Sequence, residues 1–123
     1  MSYVTNVVIW VSLLEIASGD DVPAITFLNE WLQACEGRAG GQTQTLRRVD
    51  EEAGGTKHIN CYLYAAGVNF LPLDEFMRKF HDAPWKYPEM NMLVIRNEDQ
   101  DIPVAYYPGH RKALTRNAAG DAP

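Results

Sequence analysis

The sequence predicts a single α+β domain in which an antiparallel sheet carries two helices on one face. The evidence is the order of its hydrophobic patterns: a period-2 run, a period-3.6 run, two more period-2 runs, a second helical run and a final extended pair. This order is that of the split-βαβ, or ferredoxin-like, βαββαβ arrangement with an additional C-terminal strand. A length of 123 residues and a hydrophobic content of 46% are sufficient for one core.

The first strand is predicted over Val4–Leu14, where apolar residues alternate along the chain. Successive side chains of a strand point to opposite faces, so residues two apart share a face. From residue 7 onward the odd-numbered positions are all apolar and predict the core face: Val7, Ile9, Val11 and Leu13. The even-numbered positions, which include Asn6, Val8 and Trp10, are predicted to point away from the core.

The first helix is predicted to begin near Asp20 and Asp21, with Pro23 in its first turn. Short acidic side chains cap free backbone N–H groups, and proline suits the first helical position. The apolar stripe that faces the sheet consists of Ile25, Leu28, Leu32 and Cys35. Gly37 is expected to end this helix.

Two strands in the middle of the chain are predicted to form a β-hairpin. The first, over Thr43–Glu52, is rich in charged residues and is expected at a sheet edge. The second, over His58–Ala66, alternates, and we expect its odd-numbered residues to face the core. That choice places Tyr62 and Tyr64 on the other face.

The second helix is predicted to begin at Pro72 and to end before Pro84. Two further strands follow, over Met90–Asn97 and Ile102–Tyr107, and Pro103 favours an edge position for the last one. We therefore expect the domain to span residues 1–107. Residues 108–123 are small and polar and are interpreted as a C-terminal tail.

The alternation predicts an interface or ligand-binding face on the side of the sheet without helices. It would carry Val8, Trp10, Tyr62 and Tyr64, with Met92 or Val94 nearby. Monomeric soluble proteins seldom expose an apolar patch of this size. We expect a second copy of the chain to cover it, which makes a homodimer. The alternatives are a different protein, a planar ligand that stacks on the rings, or the C-terminal end of the chain itself.

Composition narrows the possible partners and surroundings. A net charge of −5 argues against binding to nucleic acid or to an anionic membrane, because both require a basic face. No apolar run approaches the roughly 20 residues of a membrane span. Cys35 and Cys61 fall at apolar positions, which favours packing as small hydrophobic residues in a reducing, cytoplasmic setting. The spacing of the histidines fits no metal motif, and we expect no metal or cofactor.

The function that fits these observations is that of a small acidic interaction module without catalysis. The acidic turn with Glu98, Asp99 and Asp101 is simply a solvated face in one interpretation, and steers a basic protein partner in the other. The competing class is an enzyme or binder of the dimeric α/β-barrel kind, acting on a small organic substrate. Its pocket would use Asn6, His58 and His81 together with the aromatic face.

Overall fold

The protein is described by a computed structural model over residues 4–35, 45–57 and 59–108. It contains five strands and two α-helices in these ranges. In chain order they are β1 (Val4–Ser12), α1 (Pro23–Ala34), β2 (Arg47–Arg48), β3 (Cys61–Asn69), α2 (Leu73–Asp82), β4 (Met92–Asn97) and β5 (Val104–Tyr106).

The five strands form one antiparallel sheet in the order β2-β3-β1-β4-β5. The predicted α+β class, the antiparallel sheet and the two helices are therefore confirmed. The sheet does not reproduce the four-stranded ferredoxin-like order as such, because β5 extends it beyond β4. β1 and β3 are neighbours, as predicted, and β2 and β5 are the edge strands.

The core lies between the helices and one face of the sheet. Val7, Ile9 and Val11 of β1 are at most 1% exposed, and they belong to one cluster with Leu28 of α1 and Phe76 of α2. Both helices therefore cover the odd-numbered face of β1, in agreement with the alternation. The aromatic rings of Trp31 and Phe76 contact each other where α1 and α2 meet.

β2 is much shorter than the predicted strand over Thr43–Glu52, whose first two residues lie outside the described ranges. After Arg48 the chain turns into a 3-10 helix at Asp50–Glu52. The carboxylate of Asp50 accepts hydrogen bonds from the Arg48 side chain and from the backbone N–H of Leu63. These bonds fix the turn and end the strand early.

The start of α1 also differs in detail from the prediction. Pro23 occupies the first turn as expected, but the N-cap residue is Val22 and no side chain caps the helix. The predicted capping by Asp20 and Asp21 was therefore wrong. The carboxylate of Asp21 instead accepts a hydrogen bond from the hydroxyl of Thr26, and that of Asp20 accepts one from Tyr62.

Candidate functional site

The face of the sheet opposite the helices is open and largely apolar. In β1 it presents Val8, with 37% of its surface exposed, and Trp10, with 48% exposed. Residues directly opposite each other in antiparallel strands share a face. The pairing of Val8 with Val94 and of Trp10 with Met92 therefore places both β4 residues on this face, as predicted.

Side chains on the open face form rows that run across the strands. The central row, read from β2 to β5 through the strand pairing, is Arg47, Ala65, Val8, Val94 and Ala105. On one side lies an apolar row with Leu63, Trp10 and Met92. On the other side lies a polar row with Asn6 and Arg96. The open face thus has an apolar end and a polar, basic end.

The prediction that Tyr62 and Tyr64 lie on the open face was wrong. In the observed register Ile9 is opposite Tyr64 and Val11 is opposite Tyr62, so both rings lie on the helix side. Tyr64 is only 7% exposed and belongs to the core, and the half-buried Tyr62 packs against that core. Burial raises the pKa of the Tyr64 hydroxyl to about 12.

A pocket of about 260 Å³ lies at the apolar end of the open face, and we call it the Trp10 pocket. It combines two aromatic rings, two thioethers, an amide and one carboxylate, and its lining residues are Trp10, Glu89, Met90, Asn91, Met92 and Tyr107. Met90 and Glu89 are exposed. Tryptophan and methionine are enriched in protein interfaces, and an aromatic ring beside a carboxylate is suited to a cationic group.

A buried carboxylate holds the segment that forms one wall of the Trp10 pocket. Glu15 follows β1 and is fully buried. Its two oxygens accept hydrogen bonds from the backbone N–H groups of Lys86 and Tyr87 at 2.9 and 2.7 Å, and from the Asn91 side-chain amide at 3.0 Å. The Asn91 amide oxygen in turn accepts the backbone N–H of Ser12 at 2.8 Å. This network ties the end of β1 to the segment before β4.

A second polar cluster lies on the helix side at the β2 edge. The Arg48 guanidinium makes two hydrogen bonds to Asp50, at 3.0 and 2.8 Å, and stacks 3.7 Å from the centre of the Tyr62 ring. The Tyr62 hydroxyl donates to Asp20 at 2.7 Å. Arg48 also lies 3.6 Å from Asp20 and 3.8 Å from Glu51. One cation therefore faces three carboxylates.

Hydrogen bonds and burial in and beside this cluster shift the pKa values of Asp50, Tyr62 and Cys61. The hydrogen bonds from Arg48 hold the pKa of Asp50 below its usual value. The hydrogen bond to Asp20 raises the pKa of the Tyr62 hydroxyl, because its proton is held between the two oxygens. Burial raises the pKa of the Cys61 thiol nearby, so this thiol stays protonated and is not an activated nucleophile.

A pocket of about 410 Å³ borders this cluster, and we call it the Arg48 pocket. Its polar walls come from Arg48, Asp50, Glu51 and Tyr62. Its apolar walls are Leu13, Ile16, Ile59 and Cys61. Leu13, predicted as a core residue, is 43% exposed because β1 ends at Ser12 and the chain turns away from the sheet in a 3-10 helix.

Two residues of the predicted alternative pocket, Asn6 and His81, lie on opposite sides of the sheet and do not come together. Asn6 lies on the open face, where its side chain donates to the backbone oxygen of Arg96. His81 is half-buried in α2, on the helix side of the sheet, where its ring contacts Phe80. His58 lies outside the described residues.

The three acidic residues predicted to steer a partner occupy the turn between β4 and β5. The Glu98 carboxylate accepts the backbone N–H of Val4 at 2.6 Å, and the Glu98 N–H donates to the Val4 oxygen. Glu98 therefore has a structural role at the end of the β1–β4 pair. Asp99 and Asp101 are exposed.

Residues that sequence reasoning missed were Glu15, Arg48, Glu89, Arg96 and Tyr107. A charged residue directly after an apolar strand, as at Glu15, was the only available signal for a buried carboxylate. The role of Arg48 depends on a turn that brings Asp50 back to it, and no pattern in the sequence indicates that turn.

Within the described ranges, no group of three or more His, Cys, Asp or Glu side chains is arranged to hold a metal ion. No helix in the described part of the chain has the length and apolar character needed to cross a membrane. Cys35 and Cys61 are both buried.

Comparison of the chain with protein-family models, with curated proteins and with solved structures finds no match.

Proposed function

We propose that this protein is a small interaction module that binds a second copy of itself through the open sheet face. The observation that carries the proposal is the apolar strip across β3, β1 and β4, in which Trp10 of the middle strand β1 is half exposed. Apolar area of this kind is normally covered in soluble proteins. A two-fold axis buries a patch against itself and needs no other partner.

The chemistry of the face supports a protein partner. Its apolar part presents one tryptophan and one methionine, residue types enriched in interfaces, beside valine and alanine side chains. Carboxylates are absent from the described β1, β3 and β4 residues on this face, and the arginines Arg47 and Arg96 lie towards its margins. A dry centre with a charged rim fits face-to-face sheet packing.

We further infer that the domain is a ferredoxin-like unit extended by β5. The antiparallel order β2-β3-β1-β4, with α1 and α2 over the same face, supports this inference. The burial of Cys35 and Cys61 as small apolar side chains supports a reducing, cytoplasmic setting.

The test is the mass of the protein in solution after removal of Trp10. The ring buries an additional ~100 Å² in each copy if its exposed half is covered. At about 25 cal/mol per Å², this is ~2.5 kcal/mol per copy and ~5 kcal/mol per dimer. Trp10→Ala should therefore weaken the dimer at least about 100-fold, which requires only ~2.7 kcal/mol.

Sedimentation equilibrium measures this change directly. Phe70→Ala is the matched control, because Phe70 is 55% exposed but lies beyond β3 at the opposite end of the sheet from Trp10. The wild type and the control should sediment at twice the 13.8 kDa chain mass, and Trp10→Ala should approach the chain mass. A wild-type protein that is monomeric at all concentrations contradicts the proposal.

The Arg48 pocket favours a second candidate function, the binding of a small organic cation. Its volume of about 410 Å³ lies within the roughly 300–1,000 Å³ range of ligand pockets. Asp20, Asp50 and Glu51 outnumber Arg48 and make it electronegative. Benzylamine should raise the melting temperature more than benzyl alcohol does, and Glu51→Gln should reduce the difference. Equal shifts with the two compounds contradict this candidate.

A further inference from the structure

The open face carries a positive charge at its polar end and a negative charge at its apolar end. Arg96 lies in the polar row of β4, opposite Asn6. Met92 lies four residues earlier in the same strand, in the wall of the Trp10 pocket, where Glu89 supplies a carboxylate. Four residues of a strand span ~13 Å. Val94, in the central row, lies midway along β4 between Arg96 and Met92.

A two-fold axis through this midpoint brings the two ends together. If the axis lies in the interface and runs across the strands along the central row, β4 of one copy lies antiparallel over β4 of the other. Residues equally far from Val94 in opposite directions then face each other. Arg96 of each copy comes to lie over Met92 and the Trp10 pocket of the other copy. In an isologous interface this contact occurs twice.

We propose that Arg96 of each copy inserts its guanidinium into the Trp10 pocket of the other copy, where it stacks on Trp10 and pairs with Glu89. This inference rests on the proposed self-association and specifies its register. The long arginine side chain can reach across the roughly 10 Å between packed sheets and tolerates their crossing angle of about 30°. Val8 and Val94 of the central row fill the space between the two charged contacts.

The chemistry of both groups supports the pairing. A planar guanidinium stacks on aromatic rings and binds a carboxylate with two parallel hydrogen bonds. No ion pair joins Arg96 or Glu89 to another residue within the described part of the chain. Arg47 also lies on the open face, at the β2 end of the central row, where it is exposed. The same axis brings the two Arg47 side chains to one edge of the interface, where both can stay solvated.

Charge reversal tests the pairing without changing the apolar area. Arg96→Glu places two glutamates at each contact, and Glu89→Arg places two arginines there. Each single variant should raise the dimer Kd at least about tenfold, because like charges oppose each other twice per dimer. A mixture of the two variants should recover a heterodimer within about threefold of the wild-type Kd, since both of its contacts again join opposite charges.

The control is Arg78→Glu, which makes the same charge change on the exposed surface of α2, away from the open face. It should leave the dimer Kd within about twofold of wild type. Sedimentation equilibrium of each variant and of the mixture gives the Kd values, and circular dichroism verifies that both single variants are folded.

The possible outcomes separate this inference from the proposal beneath it. A monomeric wild type contradicts the proposed function. A wild-type dimer that tolerates both reversals contradicts the Arg96 pairing and leaves the proposed function intact. Weakened single variants whose mixture does not recover also contradict the pairing. Only recovery of the heterodimer in the mixture of the two variants establishes that positions 89 and 96 meet across the interface.

Discussion

The buried carboxylate of Glu15 provides a sharp test of how the apolar end of the open face is built. Replacement by Gln keeps the size of the side chain but turns one oxygen into an N–H donor. The least harmful orientation places the new amide nitrogen against the Lys86 N–H and keeps the oxygen for Tyr87 and Asn91. One donor then loses its acceptor and meets another donor.

The size of the effect follows from these three bonds. A part-buried donor without an acceptor costs about 1–3 kcal/mol. The two remaining bonds change from charge-assisted to neutral and lose roughly half of their strength, ~1 kcal/mol together. We therefore expect Glu15→Gln to lower the free energy of unfolding by about 3 kcal/mol. With a urea m-value of about 1.5 kcal/mol per M, the midpoint should fall by ~2 M.

Urea unfolding followed by circular dichroism measures this shift. Glu30→Gln is the matched control, because Glu30 is exposed on α1 and undergoes the same chemical change. Its midpoint should change by no more than ~0.3 M, which corresponds to about 0.5 kcal/mol. If Glu15→Gln and Glu30→Gln unfold at the same urea concentration, the described network does not hold the segment before β4.

The remaining predictions concern titrating groups on the helix side. The pKa of Asp50 is lowered in the folded state by its bonds to Arg48 and Leu63. These bonds therefore stabilise the protein fully above the unfolded pKa of about 4. The stabilisation is lost as the pH falls through the pKa of the folded state. Asp50→Asn should lower the free energy of unfolding by about 1–2 kcal/mol at pH 7 and by less at pH 3 in urea titrations; a loss that is independent of pH would contradict this. Burial raises the pKa of Tyr64 to about 12 in the folded state. The contribution of the protonated Tyr64 side chain to the free energy of unfolding is therefore complete below pH 10 and is lost as the pH rises towards 12. The wild type should lose more stability than Tyr64→Phe over that interval, and absorbance at 295 nm should show a late-ionising tyrosine that Tyr64→Phe lacks; equal losses and identical absorbance curves would refute the burial argument.

Most of the fold could be predicted from the sequence because its signals are local. The alternation of Val7, Ile9 and Val11 identifies the buried face of β1, and the core confirms it. The prolines Pro72 and Pro84 bound the predicted second helix, which is observed as α2 (Leu73–Asp82). The length of β2 could not be predicted, because Asp50 ends the strand partly through a hydrogen bond from Leu63, which only the fold brings near.

The candidate site was predicted only in part because the face of β3 depends on register. Tyr62 and Tyr64 alternate with Leu63 and Ala65, and both sets are sufficiently apolar to be buried. The pairing with β1 decides between them, and it extends to Val68, which lies opposite the buried Thr5. Continuing the alternation from Tyr64 through Val68 would have favoured the correct face. Shifting the pairing by one residue exchanges the two faces of a strand.

Contact between the two open faces can be measured directly by isotope-filtered nuclear Overhauser spectroscopy. The sample is an equal mixture of labelled and unlabelled chains, so that cross-peaks arise only between copies. The account predicts intermolecular cross-peaks from the Val8 and Val94 methyl groups, and between Arg96 of one copy and the Trp10 ring of the other. Intermolecular cross-peaks confined to α1 and α2, with none from the open face, would contradict it.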